Sequence, residues 1–219
     1  MPRLSSRVYV AVIGDIVGSR ALPDRRAVQR RLRRCLRRLN REWESSIAAS
    51  FLITLGDEFQ GLLTDPPVTI DRMLAGIRRD LHPVEVRVGI GVGRLATKLE
   101  PEAIGMDGPC FHRAREALKR AEFHASAIEV EAETNTAAFR IYGALFSALR
   151  RQWSERQRQV FDLTATGLTG RSAAKKLKIQ PSAVSQHLTA AEAHSALEAQ
   201  RNWLLALCEA VATARKVQE

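Results

Sequence analysis

Residues 84–93 constrain the chain more than any other stretch. Val84, Val86, Val88, Ile90 and Val92 alternate with Glu85, Arg87, Gly89, Gly91 and Gly93. Successive side chains on a strand point to opposite faces, so a period of two predicts a β-strand with one aliphatic face. The opposite face carries three glycines. Glycine weakens a strand unless something approaches its backbone closely. A helix packed on the sheet or a nucleotide lying over it would each use that space. Either way, the chain must build a sheet.

Residues 51–63, Phe-Leu-Ile-Thr-Leu-Gly-Asp-Glu-Phe-Gln-Gly-Leu-Leu, read as two short strands folded back at Gly56-Asp57. Gly-Asp holds the positive φ that tight hairpin turns demand. The tip presents Asp57 and Glu58 between apolar runs, which suits carboxylates solvated in a turn or occupied with a cation. A third segment, Val8-Tyr9-Val10-Ala11-Val12-Ile13, is almost continuously apolar and predicts a strand covered on both faces. It runs into Gly14-Asp15-Ile16-Val17-Gly18-Ser19-Arg20, which leaves Asp15 at the strand's carboxyl end. If this strand pairs with the hairpin, Asp15 and Asp57 converge. Two carboxylates with a nearby carbonyl, here that of Ile16, are a natural Mg²⁺ site, completed by water and nucleotide phosphates. Gly18, Ser19, Arg20, Gly56 and Glu58 border it as candidate nucleotide contacts.

Helical periodicity fills the intervals. Pro23-Asp24 opens a helix to about Ser45, with Val28, Leu32, Cys35, Leu36, Leu39 and Trp43 on one stripe. Arg26, Arg30, Arg33, Arg37 and Arg41 form the opposite face, solvated or steering an anion. Asp65-Pro66-Pro67 breaks the chain before a helix over 68–81, which His82-Pro83 ends. A helix over 110–123 buries Phe111, Ala114, Leu118 and Ala121 and leaves His112, Arg113, Arg115, Lys119 and Arg120 exposed or phosphate-facing. Residues 126–131 read as a closing strand. Strand, helix, hairpin, helix, strand, helix, strand is the order of an α+β, ferredoxin-like domain. A helix over 137–151 follows, its apolar residues spread around more than one face, and bridges to the rest of the chain.

From Trp153 onward the pattern shifts to short helices. Residues 172–188 have helix-turn-helix spacing: Ala174 lets two helices cross closely, and Leu177, Ile179, Val184 and Leu188 supply a wedge-shaped core. Lys178 falls at the turn position that needs a left-handed backbone, at a cost of about 1 kcal/mol for a non-glycine residue. Pro181 then starts a recognition helix. Gln180, Ser182, Ser185 and Gln186 are placed toward the major groove of duplex DNA, and Arg171, Lys175 and Lys176 near phosphates. A last helix over 190–215, with Leu197, Leu204, Leu205, Cys208 and Val211 on one face, suits packing or dimerisation.

These motifs carry a resemblance. Asp15-Ile16-Val17-Gly18 resembles the first-strand motif of class III nucleotide cyclases. Gly56-Asp57-Glu58-Phe59 resembles the hairpin of diguanylate cyclase (GGDEF) domains, with Leu55 in place of the first glycine. From the first strand through the helix-turn-helix, the chain resembles the SatD family. The resemblance implies a nucleotide-cyclase-type N-terminal domain, with Asp15 and Asp57 as metal ligands. Class III cyclases also place an Asn and, four residues on, an Arg on the helix corresponding to 110–123. Arg115 matches the Arg, with Phe111 at the Asn position; a register on His112 brings Glu116 to the Arg position instead.

Bulk properties narrow the partners. A formal net charge of +10 and a pI near 10.3 favour a polyanion, nucleic acid or nucleotide phosphates, although a solvated basic surface gives the same numbers. Cys35, Cys110 and Cys208 have no paired spacing, which argues against zinc and disulfides and fits a reducing cytoplasm. No apolar run approaches the ~20 residues that span a bilayer, so no membrane partner is expected. The organisation predicted is a cyclase-like domain over 1–132, a bridging helix over 133–152 and a helix-turn-helix domain over 153–219. The expected function is a homodimeric, cytoplasmic DNA-binding transcriptional regulator whose cyclase-like domain senses a nucleotide, a divalent metal such as Mg²⁺, or both. Two alternatives stand beside it: a Mg²⁺-dependent nucleotidyl cyclase or related transferase with an appended helix-turn-helix, and a degenerate cyclase-like dimerisation platform.

Overall fold

The computed structural model describes residues 5, 7–64 and 69–216. The lead Met1-Pro2-Arg3-Leu4 and the break at Asp65-Pro66-Pro67 lie outside the described residues. In chain order the elements are β1 (Val8–Ile16), α1 (Arg25–Glu42), β2 (Ile47–Leu55), β3 (Glu58–Leu63), α2 (Ile70–Leu81) and β4 (Val86–Arg94). They continue with α3 (Pro109–Phe123), β5 (Ile128–Glu131), α4 (Thr136–Gln152), α5 (Glu155–Ala165), α6 (Gly170–Leu177), α7 (Pro181–Ala190) and α8 (Ala193–Lys216).

One mixed sheet runs β2-β3-β1-β4-β5. β1 is antiparallel to both β3 and β4, and the hairpin β2–β3 flanks it as the sequence implies. The first four strands and two helices thus have ferredoxin-like order. β5 adds parallel to β4, and a parallel neighbour needs a crossover, which α3 provides. The fold is α+β.

Period-two alternation sorts the sheet into two cores. Val8, Val10, Val12 and Ile16 share one cluster with Leu32, Cys35 and Leu39 of α1 and Met73, Leu74 and Ile77 of α2. Tyr9, Ala11 and Ile13 share the other with Cys110, Phe111, Ala114 and Leu118 of α3. The glycine face of β4 is occupied by that helix. A Cβ on Gly91 would sit 2.1 Å from the Cys110 carbonyl oxygen, and one on Gly89 would sit 2.3 Å from the Ala114 carbonyl oxygen. The space is filled by α3 backbone, not left for a nucleotide.

The helical region does not hang free. Phe139 and Phe146 of α4, Phe161 of α5 and Trp203, Leu207 and Val211 of α8 join the larger core. Aromatic rings link them: Tyr142 stacks on Phe146 and on Trp203, both at 5.5 Å, and Trp153 lies 4.6 Å from Phe161. A smaller core of Val160, Leu163, Ala173, Ala174 and Val184 holds α5, α6 and α7 together. Two details differ from the sequence reading. Glu192, at φ 50°, ends α7 and starts α8 at Ala193 rather than Ala190. Leu205 is 62% exposed, because Trp203 and Leu207 instead supply the buried stripe. Among the described residues no helix is long and apolar enough to cross a membrane.

Candidate functional site

The carboxyl end of β1 lies between β3 and β4. Gly14 pairs with Phe59, and Asp15 pairs with Arg87. Asp15 shares its sheet face with Ile13, so it points to the side that carries α3. Glu58 and Gln60 of β3 lie on this same face, and Asp57 occupies the turn just beyond. The sheet therefore gathers Asp15, Asp57 and Glu58 at adjacent strand ends. Gly56 makes the turn with φ 63°, and its carbonyl accepts from Gln29 Nε2 at 2.8 Å, tying the tip to α1.

Asp15 is poised. Its Oδ1 is buried and has no hydrogen-bond partner, while Arg87 Nε stands 3.6 Å away. Burial pushes the carboxyl up; the Arg87 charge opposes this, and Glu122, Asp57 and Glu58 add to the rise. The net direction is upward. Burial, more than the neighbouring carboxylates, dominates.

Glu58 is settled. Arg115 of α3 grips both its oxygens, with Nη2 donating to Oε1 at 2.9 Å and Nη1 to Oε2. Thr54 Oγ1 also donates to Oε1 at 2.9 Å. Burial alone raises this carboxyl, but the hydrogen bonds from Arg115 and Thr54 and the Arg115 charge outweigh it and hold Glu58 below the usual range. Two residues expected to meet a nucleotide thus meet each other.

Beside this pair lies a cleft of about 480 Å³, lined among others by Ile13, Gln60, Phe111, His112 and Arg115. His112 faces Asp107, with Nε2 and Oδ1 at 2.6 Å. Gly18 has φ 65°, and a short 3₁₀ turn holds Ser19 with exposed Arg20 beyond the end of β1. Sequence reasoning gave Arg87, Thr54 and Gln60 no role here. The alternation placed Arg87 on the glycine face, but only the β1–β4 register brings it opposite Asp15. Among the described residues no group of three or more His, Cys, Asp or Glu side chains is arranged to hold a metal. The Asp15 Oδ1 atom, without a hydrogen-bond partner, is the feature of this strand end that would suit a cation ligand.

The second candidate surface is on α6 and α7. Thr169 caps α6 by accepting from the Ser172 N–H at 3.2 Å. Lys178 takes the left-handed conformation between the helices, at φ 54° and ψ 46°. Arg171, Lys175, Lys176, Gln180, Ser182, Ser185 and Gln186 are all exposed. None of the three cations has a carboxylate partner among the described residues. From Leu163 to Ala191 the sequence holds no acidic residue.

The SatD family profile matches residues 9–203. No curated protein sequence matches the chain. Among solved structures, a bacterial light-regulated adenylyl cyclase is similar at 15% identity and a TM-score of 0.45, over 70% of this chain and 83% of that one. A microbial GGDEF domain characterised with cyclic di-GMP is similar at 20% identity and a TM-score of 0.38, over 57% and 78%. A regulator of polyketide synthase expression from Bifidobacterium adolescentis is similar at 13% identity and a TM-score of 0.27, over 96% and 86%.

Proposed function

The chain belongs to the SatD family, and from that premise we propose that it is a DNA-binding transcriptional regulator whose cyclase-like domain senses a nucleotide with a divalent metal. The observation that carries this reading is the exposed, acid-free surface of α6 and α7. Arg171, Lys175 and Lys176 are exposed and available to phosphates, and Gln180, Ser182, Ser185 and Gln186 are exposed at the start and along α7. Backbone contacts of this kind position a protein, and amide and hydroxyl side chains read base edges.

On the sensor side, Asp15 and Asp57, with the Ile16 carbonyl, would hold Mg²⁺. Bound there, the ion would neutralise nucleotide phosphate charge. Gly18, Ser19 and Arg20 border that position. The protein is a homodimer in this reading, with α4 and α8 at the interface. Ile141 and Leu145, 60% and 65% exposed, flank an apolar groove of about 520 Å³ between these helices.

The test is anisotropy of fluorescent duplex DNA titrated with the full chain over a range of salt. Three phosphate contacts from each subunit of the homodimer give a slope of log K against log salt of about −5.4. Binding without salt dependence, or none at all, removes the DNA reading.

A second reading, Mg²⁺-dependent nucleotidyl transfer, rests on the cleft beside Arg115, which opens on the same sheet face as Asp15. It requires Arg115 to leave Glu58 and face a phosphate. Product formation from nucleoside triphosphate and Mg²⁺ by the full chain decides for it.

A further inference from the structure

A separate cavity of about 260 Å³ opens where β4 begins, between the loop before β5, the end of α4 and α5. Four guanidinium groups line it, those of Arg87, Arg150, Arg151 and Arg158, against two carboxylates, Glu85 and Glu122. The acids are stretched. Glu85 is divided between Arg150 at 3.2 Å and Arg158 at 3.6 Å. Glu122 reaches Arg87 only at 3.7 Å and is 71% exposed. Arg151 donates to the Ala125 carbonyl at 3.2 Å and has no carboxylate partner among the described residues.

Cations crowded at one cavity repel, and what best relieves them is an oxyanion that accepts several N–H bonds at once. Arg150 is committed to Asp162 and Glu85. Among the described residues Arg151 donates only to the Ala125 carbonyl, and Arg158 holds Glu85 at 3.6 Å and the Arg150 carbonyl at 3.5 Å, so these two are the less tightly held groups that a ligand can draw toward it. Val17, Val86 and Ala127 supply an apolar wall. The volume lies just under the ~300 Å³ where pockets for drug-sized ligands begin, so the ligand is compact.

We infer that this junction cavity binds a small phosphate monoester, its phosphoryl group held by Arg151 and Arg158 and its carbon body against the Val17–Val86 wall. The inference goes beyond the DNA and Asp15–Asp57 readings and does not depend on either. Because the cavity joins the sheet to α4 and α5, its ligand would stiffen the junction on which the C-terminal helices are mounted.

The experiment is calorimetric titration of the full chain with inorganic phosphate and with glycerol 3-phosphate. It is run at constant ionic strength with EDTA, so that a Mg²⁺-dependent site stays silent. One saturable site is expected, tighter for glycerol 3-phosphate, which alone reaches the apolar wall. Arg151→Gln changes an exposed residue and should raise Kd about tenfold; the Arg151→Gln/Arg158→Gln double variant should raise it further. Equal melting temperatures without ligand establish that the variants fold. Non-saturable binding, or undiminished affinity in Arg151→Gln and in the double variant, overturns the inference.

Discussion

Arg150 of α4 holds both oxygens of Asp162 of α5, Nη1 to Oδ1 at 3.1 Å and Nη2 to Oδ2 at 2.9 Å. Arg78 of α2 donates to the same Oδ1 at 3.0 Å and lies over the Phe146 ring at 5.5 Å. All three charged residues are buried. A buried pair gains little over a well-packed apolar core, yet removing one partner strands the other charge. This cluster also fixes α5, and with it α6 and α7, to the sheet domain through the Arg150 contact with Glu85.

Asp162→Ala should therefore cost about 3–5 kcal/mol, because it strips the shared carboxylate from two buried guanidinium groups. Urea unfolding of the full chain measures this. A loss below about 1 kcal/mol would mean that water reaches the pair.

Gly91→Ala should destabilise more than Gly56→Ala. At Gly91 the new methyl would meet α3 backbone at 2.1 and 2.2 Å, so the helix must lift off the sheet at about 1–3 kcal/mol or more. At Gly56 nothing lies within 4 Å, and only the positive φ is strained, at about 1 kcal/mol. Thermal melts of both variants rank them.

What was legible in the sequence follows from these contacts. Alternation over residues 84–93 and the apolar run before Asp15 gave the strands and their faces, because period two is a local property. Lys178 was readable as a left-handed turn because the spacing of two short helices about it is local too. Arg115 and Glu58 are 57 residues apart, so their pairing depends on how α3 crosses the sheet. Leu149-Arg150-Arg151 reads as a basic helix end, and only tertiary packing buries Arg150 while leaving Arg151 exposed. Arg87 required the register of β1 against β4.

Asp15 should destabilise the metal-free protein near neutral pH. Its carboxyl is raised above the ordinary value, chiefly by burial and against the pull of Arg87. Between the unfolded and folded pKa values the native state binds more protons, so stability falls as pH rises through that window. Above it the penalty is fully present. Asp15→Asn should raise Tm at pH 7, by about 2–4 °C for each kcal/mol recovered, and the gain should shrink as pH drops. A variant no more stable than the parent at pH 7 would mean that the Arg87 charge offsets the burial of the Asp15 carboxyl.

Glu58 has the opposite sign. Its carboxyl is held down by Arg115 and Thr54 against the effect of burial. The pair's contribution is present above the unfolded pKa and is lost as pH falls through the folded one. Arg115→Gln should cost about 1 kcal/mol at pH 7, the scale of a partly exposed pair, and much less in acid. A loss independent of pH would assign the effect to packing of the arginine stem instead.

The last prediction tests the proposed coupling between the cyclase-like domain and DNA. α4 packs against β5 and α8, and α5 packs against α2, so the α6–α7 pair is mounted on the sheet domain. A dimer through the α4–α8 groove would set the distance between two α7 helices, and a palindrome is bound well only near one DNA turn, roughly 34 Å. A ligand shifts such an equilibrium only by its differential affinity for the two geometries. Nucleotide with Mg²⁺ at the Asp15–Asp57 end should therefore change the DNA affinity of the full chain. Asp57→Asn should abolish that change while leaving ligand-free DNA binding intact. Gln186→Ala should weaken preferred sequences more than random ones, and Lys175→Ala should weaken both alike. DNA titrations of the parent and the three variants, with and without saturating nucleotide and Mg²⁺, read all of this in one format. Superimposable curves for every nucleotide that binds would uncouple the domains and leave nucleotidyl transfer as the better account of the cleft.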